Sequence, residues 1–296
     1  MDFERYAQSR TQLIDDYIES SLDSMSNSIS QRFLPIVESM RYSLGGGGKR
    51  LRPLLVLASA ESLGIEPDRV LPAAVAIEWI HTYSLIHDDL PAFDDDDVRR
   101  GRASSHKRFG EAMAVLTGDA LLTESFGLML KLSELGHFTP TQVLNGISLL
   151  VQCSGISGMV GGQWLDVSSE PDLFSLPEVE FVHIHKTGAM ILGSVLLPTR
   201  LHQADEAKIQ ARRRYGEALG LAFQISDDLL DSEPNIRYAR GPRKKPKPCY
   251  TKLMSPSEIK GKLNTLIDSA VTAIANEGEK ASALRGIAEY VRTRKK

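Results

Sequence analysis

The chain has 296 residues, 42% of them hydrophobic and 25% charged, with 23 glycines and 14 prolines. That composition excludes collagen-like, low-complexity and wholly disordered classes, and a formal net charge of −3 argues against a bulk nucleic-acid binder. Two cysteines, Cys153 and Cys249, cannot build a disulfide framework, so a reducing, cytoplasmic setting is expected.

The chain reads as helix after helix. Leu13, Tyr17, Leu22 and Met25 open an amphipathic segment, without the basic start and unbroken apolar stretch of a secretory signal. Leu51–Leu63 is dense in Leu, Val and Ala, and Val70–His87 repeats apolar residues at helical spacing. Ala112–Leu135, Thr141–Val160, Glu178–Leu197 and Ala204–Leu230 continue the pattern. Breaks are expected at Gly45–Gly48, Gly64–Pro67, Gly136–Pro140, Gly161-Gly162 and Glu170–Pro177. Strand signals are scarce, and the longest apolar runs, such as Ala189–Pro198, fall short of the roughly 20 residues of a bilayer span. Helices apolar around much of their circumference belong inside a large bundle, so the expectation is one all-α domain over residues 1–296.

Ser232–Cys249 breaks the style, with Pro234, Pro242, Pro246 and Pro248 among Arg237, Arg240, Arg243, Lys244, Lys245 and Lys247. Prolines remove donors and clash with helix, so a poorly ordered basic loop is expected there.

Two acidic clusters follow apolar helical segments: His87-Asp88-Asp89-Leu90-Pro91-Ala92-Phe93-Asp94-Asp95-Asp96-Asp97, and Gln224-Ile225-Ser226-Asp227-Asp228-Leu229-Leu230-Asp231. Carboxylates at the end of an apolar helix need cations or water, and an oxygen-only donor set suits hard ions such as Mg²⁺. Asp227 and Asp231 are four apart and share a helical face, which Gln224 extends. Asp94 would point away from Asp88 on a straight helix, but Pro91 ends the helix and lets the chain fold back. An EF-hand reading fails, because Val98 and Arg100 stand at ligand positions. Gly45–Gly48 followed by Lys49, Arg50 and Arg52 lacks the Walker pattern yet offers an oxyanion grip, and Arg99, Arg100 and Lys186-Thr187-Gly188 add candidate phosphate contacts.

Together these segments resemble the trans-isoprenyl diphosphate synthases, specifically the bacterial farnesyl diphosphate synthase type, which has two extra residues inside the first aspartate-rich motif. The resemblance is carried by G-G-K-R-L-R-P, by I-H-T-Y-S-L-I-H-D-D-L-P-A-F-D-D-D-D-V-R-R-G and by G-D-A-L-L-T. It continues through G-M-V-G-G-Q-W-L-D, H-K-T-G-A and F-Q-I-S-D-D-L-L-D, all in the family's order.

The resemblance implies an all-α fold around a central cavity, a homodimer and about three Mg²⁺ ions, with Mn²⁺ as a substitute. It implies joining of isopentenyl diphosphate to dimethylallyl or geranyl diphosphate through an allylic cation, with no nucleic-acid partner and no membrane span. The metal ligands would be Asp88, Asp94, Asp227 and Asp231, and the catalytic set Asp88, Asp89, Asp94, Lys186, Asp227 and Asp228. Lys49, Arg52, His81 and Arg100 would hold isopentenyl diphosphate, while Arg99, Lys186, Thr187 and Gln224 would contact the allylic substrate. Tyr83 and Ser84, just below the first cluster, would set chain length, favouring a fifteen-carbon product. Geranyl or geranylgeranyl synthesis is the nearest alternative. Residues 232–249 depart from the family's G-K-x-x-G-x-D-x-x-x-x-K-S/T-T-Y pattern in the manner of a reading-frame slip, which raises a further alternative, a catalytically weakened binding or regulatory subunit.

Overall fold

A computed structural model describes residues 2–168, 175–232 and 249–294, and the expectations about the Pro- and Lys-rich segment fall on residues 233–248, outside them. The described helices are α1 (Phe3–Ser28), α2 (Leu34–Leu44), α3 (Leu51–Ser62), α4 (Pro67–Asp88), α5 (Ser105–Phe109), α6 (Glu111–Glu134), α7 (Pro140–Ser154), α8 (Met159–Ser168), α9 (Leu176–His183), α10 (Ala189–His202), α11 (Glu206–Ser232), α12 (Pro256–Ala273) and α13 (Ser282–Thr293). Local chemistry marks their starts. Asp2 caps α1 through Glu4 N and Arg5 N, and capping boxes at Thr139/Gln142 and Ser255/Glu258 precede the N-terminal prolines of α7 and α12.

The all-α expectation holds, and α3, α4 and α10 form the centre. Each is buried around most of its girth: Leu54–Ala60 in α3, Val70–Ile77 in α4 and Val195–Thr199 in α10. α4 packs on α6 and α3, α10 packs on α11, α7 and α3, and α12 and α13 close the far side against α11. One contiguous apolar cluster runs from Tyr6 to Val291. Each aliphatic side chain fully buried there contributes about 1.5–3 kcal/mol relative to exposure.

Three expectations are corrected. The segment read as Thr141–Val160 divides at Gly155–Gly158, where a Cβ on Gly158 would lie 2.1 Å from Cys153 O, and α8 then runs straight through Gly161-Gly162. A two-stranded hairpin, β1 (Val98–Arg99) and β2 (Arg102–Ala103), forms after the first acidic cluster, its turn made by Arg100 at φ 53° and Gly101 at φ 75°. By length and apolar composition, α6 (Glu111–Glu134) and the stretch Pro140–Ser168, which is broken between α7 and α8, would be enough to cross a bilayer, with mean hydropathies of 1.3 and 1.5. About two fifths of each is packed inside the bundle, which answers for that part of their apolar character.

Candidate active site

α4 ends at Asp88 because Pro91 cannot continue it. The chain turns, and Asp94 N donates to Asp88 O at 2.9 Å while Asp96 N donates to Asp89 O at 3.2 Å. Asp94 therefore returns beside Asp88, as the proline placement predicts. The hairpin carries Arg99 back to the buried Asp89, with Arg99 Nε 2.9 Å from Oδ1. Burial lifts the Asp89 carboxyl to about 6 against the pull of Arg99. Asp89, expected among the catalytic residues, is paired with Arg99.

The second cluster lies on α11. The buried Asp228 accepts from Gln224 Nε2 at 3.1 Å and from Tyr250 N at 2.8 Å, so it ties α11 to the chain entering α12. Asp227 Oδ1 accepts from Arg294 Nη2 at 2.8 Å. Asp228, like Asp89, was expected in the catalytic set; two of its bonds hold Gln224 and the chain at Tyr250.

Consecutive residues of a π-helical turn, Ile184–Gly188, join the two banks. Lys186 Nζ lies 3.6 Å from Asp88 Oδ2, and Thr187 Oγ1 donates to Gln224 Oε1 at 3.0 Å. Glycines make this approach possible: a Cβ on Gly162 would sit 2.1 Å from Lys186 N, and one on Gly220 2.9 Å from Gly188 Cα. Lys186 also bonds Asp166 Oδ2 at 2.5 Å, and Gln163 Nε2 donates to Asp88 Oδ1. Gln163 and Asp166 were given no role from the sequence. They stand three apart on one face of α8, inside the G-M-V-G-G-Q-W-L-D stretch, a spacing that could have found them.

On the other side, Arg52 Nη1 lies 3.2 Å from His81 Nε2, and Arg52 Nε is buried without a partner among the described residues. Burial lowers Arg52 from arginine's ordinary value against the pull of Glu78 and Asp227, so the Arg52 charge and the second bank feel one another. Burial first, then Arg52 and Arg100, hold His81 neutral, well below the ordinary histidine value. Arg100 donates to Gly47 O, and at Gly48 (φ 133°) a Cβ would lie 2.7 Å from Arg100 Cζ, which explains the glycines there. Lys49 is exposed on the same loop. Arg50 does not belong to this grip. Its left-handed backbone, φ 46°, turns it into the core, where it meets Asp15 and Glu78 at 2.8 Å each and Leu44 O at 2.7 Å. Tyr83 is buried edge-on to His87, at 5.7 Å between centroids, and half-buried Ser84 donates to His81 O at 2.8 Å.

Asp88, Asp94, Asp227 and Asp231 offer only carboxylate oxygens, a donor set that fits hard divalent ions and not thiophilic ones. Cationic Lys186 and Arg294 stand against Asp88 and Asp227, as expected where negative charge has been gathered.

Fold and site together define a prenyltransferase. The chain belongs to the polyprenyl synthetase family, which matches residues 35–237. It is 42% identical over 261 residues to farnesyl diphosphate synthase of Geobacillus stearothermophilus, covering 87% of this chain and 88% of that one. It is 39% identical over 293 residues to farnesyl diphosphate synthase of Haemophilus influenzae, covering 96% and 97%. Among solved structures it superposes on a geranyltransferase from Legionella pneumophila with a TM-score of 0.87 and 33% identity, over 98% of this chain and 96% of that one. An FPP/GFPP synthase from Zymomonas mobilis gives a TM-score of 0.85 and 33% identity, over 99% of each.

Proposed function

We propose that the protein condenses isopentenyl diphosphate with dimethylallyl and then geranyl diphosphate, releasing farnesyl diphosphate. The observation that carries this is the π-helical turn whose Lys186 touches the first acidic bank and whose Thr187 touches the helix of the second. A diphosphate lying between the banks would meet both. Mg²⁺ held by Asp88, Asp94, Asp227 and Asp231 would neutralise the diphosphate as it leaves the allylic carbon. Lys186, Thr187, Gln224 and Arg99 would hold that diphosphate, with Asp166 and Asp89 aiming the two cations. Arg52, with a buried N–H lacking a partner among the described residues, would receive isopentenyl diphosphate beside Lys49, Arg100 and a neutral His81 that can still donate one hydrogen bond. The double bond of isopentenyl diphosphate attacks the allylic cation, a carbon–carbon bond forms, and the proton lost from the adduct goes to the released diphosphate. No side-chain nucleophile is required.

Tyr83 lies five residues before Asp88, about one and a half helical turns below the metal site, where its ring would limit the growing chain. The exposed apolar side chains Leu116, Leu130, Leu144, Val151 and Trp164 on α6, α7 and α8 favour burial against a second copy, hence a homodimer. Cys153 and Cys249 are both free thiols, in keeping with a cytoplasmic setting.

The test is incubation with Mg²⁺, isopentenyl diphosphate and dimethylallyl or geranyl diphosphate, followed by product sizing. Fifteen carbons is the expected product. Twenty would replace the farnesyl reading by the geranylgeranyl one, the name carried by Arabidopsis thaliana relatives that are 44% identical over about two thirds of this chain. No turnover would favour a binding subunit.

A further inference from the structure

The last residue described, Arg294, is buried beneath the second acidic bank, its side chain only 1% exposed. Its guanidinium donates from Nε to Ser226 Oγ, and from Nη2 to Phe223 O and Asp227 Oδ1, each at 2.8 Å. Its Cζ also lies 4.1 Å from the Phe223 ring centroid. All three acceptors sit on one turn of α11, so the planar fork is matched by a surface that an ammonium could not satisfy. The residue is delivered by α13, whose last turn holds it through Arg294 N to Tyr290 O at 2.9 Å. A desolvated cation requires a carboxylate partner, and the partner here is the first aspartate of the bank.

We infer that Arg294 is a positioning residue that fixes the Asp227 carboxylate and opposes a divalent ion there until a diphosphate is present. The inference rests on the reading of Asp227 as a metal ligand. A guanidinium held in low-dielectric surroundings a few ångströms from Asp227 repels an incoming divalent cation, and a bound diphosphate offsets that repulsion. Metal occupancy of the second bank is thereby coupled to substrate.

The experiment titrates the full-length protein with Mn²⁺, following free Mn²⁺ by electron paramagnetic resonance, with and without inorganic pyrophosphate. Arg294→Gln is expected to bind Mn²⁺ at least about tenfold more tightly than wild type without pyrophosphate, and to gain less from adding it. Arg294→Met also removes the charge while keeping much of the stem's packing, so it moves the same way, and it decides the matter if Arg294→Gln does not fold. Mn²⁺ affinity equal to or weaker than wild type in folded Arg294→Gln, or in Arg294→Met where only that variant folds, overturns the inference. Asp227→Asn separates the two readings. If it leaves Mn²⁺ stoichiometry and affinity untouched, the assignment of Asp227 as a ligand fails. If it weakens binding while Arg294→Gln matches wild type, only the role of Arg294 fails.

Discussion

Gly162→Ala probes how α8 and the π-helical turn are set against each other. The added Cβ would meet Lys186 N at 2.1 Å and Lys186 Cα at 2.6 Å, both backbone atoms that cannot rotate away. Restoring ordinary contact requires the two elements to part by about 1.3 Å, an overpacking change that costs roughly 1–3 kcal/mol. For a chain of this size that lowers Tm by about 2–5 °C. The same movement draws Lys186 away from Asp88 and carries Gln163 and Asp166 with α8. Misplacement of catalytic groups by about 1 Å costs on the order of 100-fold, so kcat/KM for the allylic diphosphate should fall by one to two orders of magnitude. The assays are differential scanning fluorimetry and steady-state kinetics at saturating isopentenyl diphosphate. Gly261→Ala is the control: Gly261 is exposed on α12 with nothing within 4 Å of its Cβ position, and alanine there should be neutral or stabilise by about 0.4–1 kcal/mol. A Gly162→Ala protein with the Tm and kinetics of wild type would refute the reasoning.

Asp88→Asn and Asp227→Asn should each lower kcat by at least about 100-fold with little change in far-ultraviolet circular dichroism; wild-type turnover in either would remove that residue from the metal site. Asp89→Asn should release Arg99 and raise KM for the allylic diphosphate by about tenfold, leaving KM for isopentenyl diphosphate nearly constant. His81 is held below its ordinary value, so below about pH 6.5 the unfolded chain takes up a proton that the native state refuses. Stability therefore rises with pH up to about 6.5 and flattens above it, with a slope of at most about 1.4 kcal/mol per pH unit from this group. His106 is also lowered by burial and acts with the same sign, so the informative quantity is the difference between wild type and His81→Asn in urea denaturation from pH 5 to 8. Identical slopes in the two proteins would count against a neutral His81. Leu116→Asp combined with Val151→Asp should shift the sedimentation coefficient from dimer to monomer, and a wild-type coefficient would move the proposed interface elsewhere.

Helix identity was legible because apolar periodicity is a local property, and the all-apolar girth of α3, α4 and α10 already called for a buried position. The return of Asp94 to Asp88 was also legible, since Pro91 acts within a few residues of itself. What the sequence could not supply was direction in space. Arg50 and Arg52 stand two apart in one basic run, yet a left-handed backbone buries the first against Glu78 while the second faces His81. Asp88 and Asp89 are neighbours, and only the fold gives one to Lys186 and the other to Arg99. Arg294 reaches Asp227 across 67 residues of chain, a pairing invisible to any local pattern. Residue types and short spacings determined the chemistry available to this protein. Tertiary packing decided which charges meet, because partners far apart in sequence are chosen by how helices bury their apolar faces and not by the charges themselves.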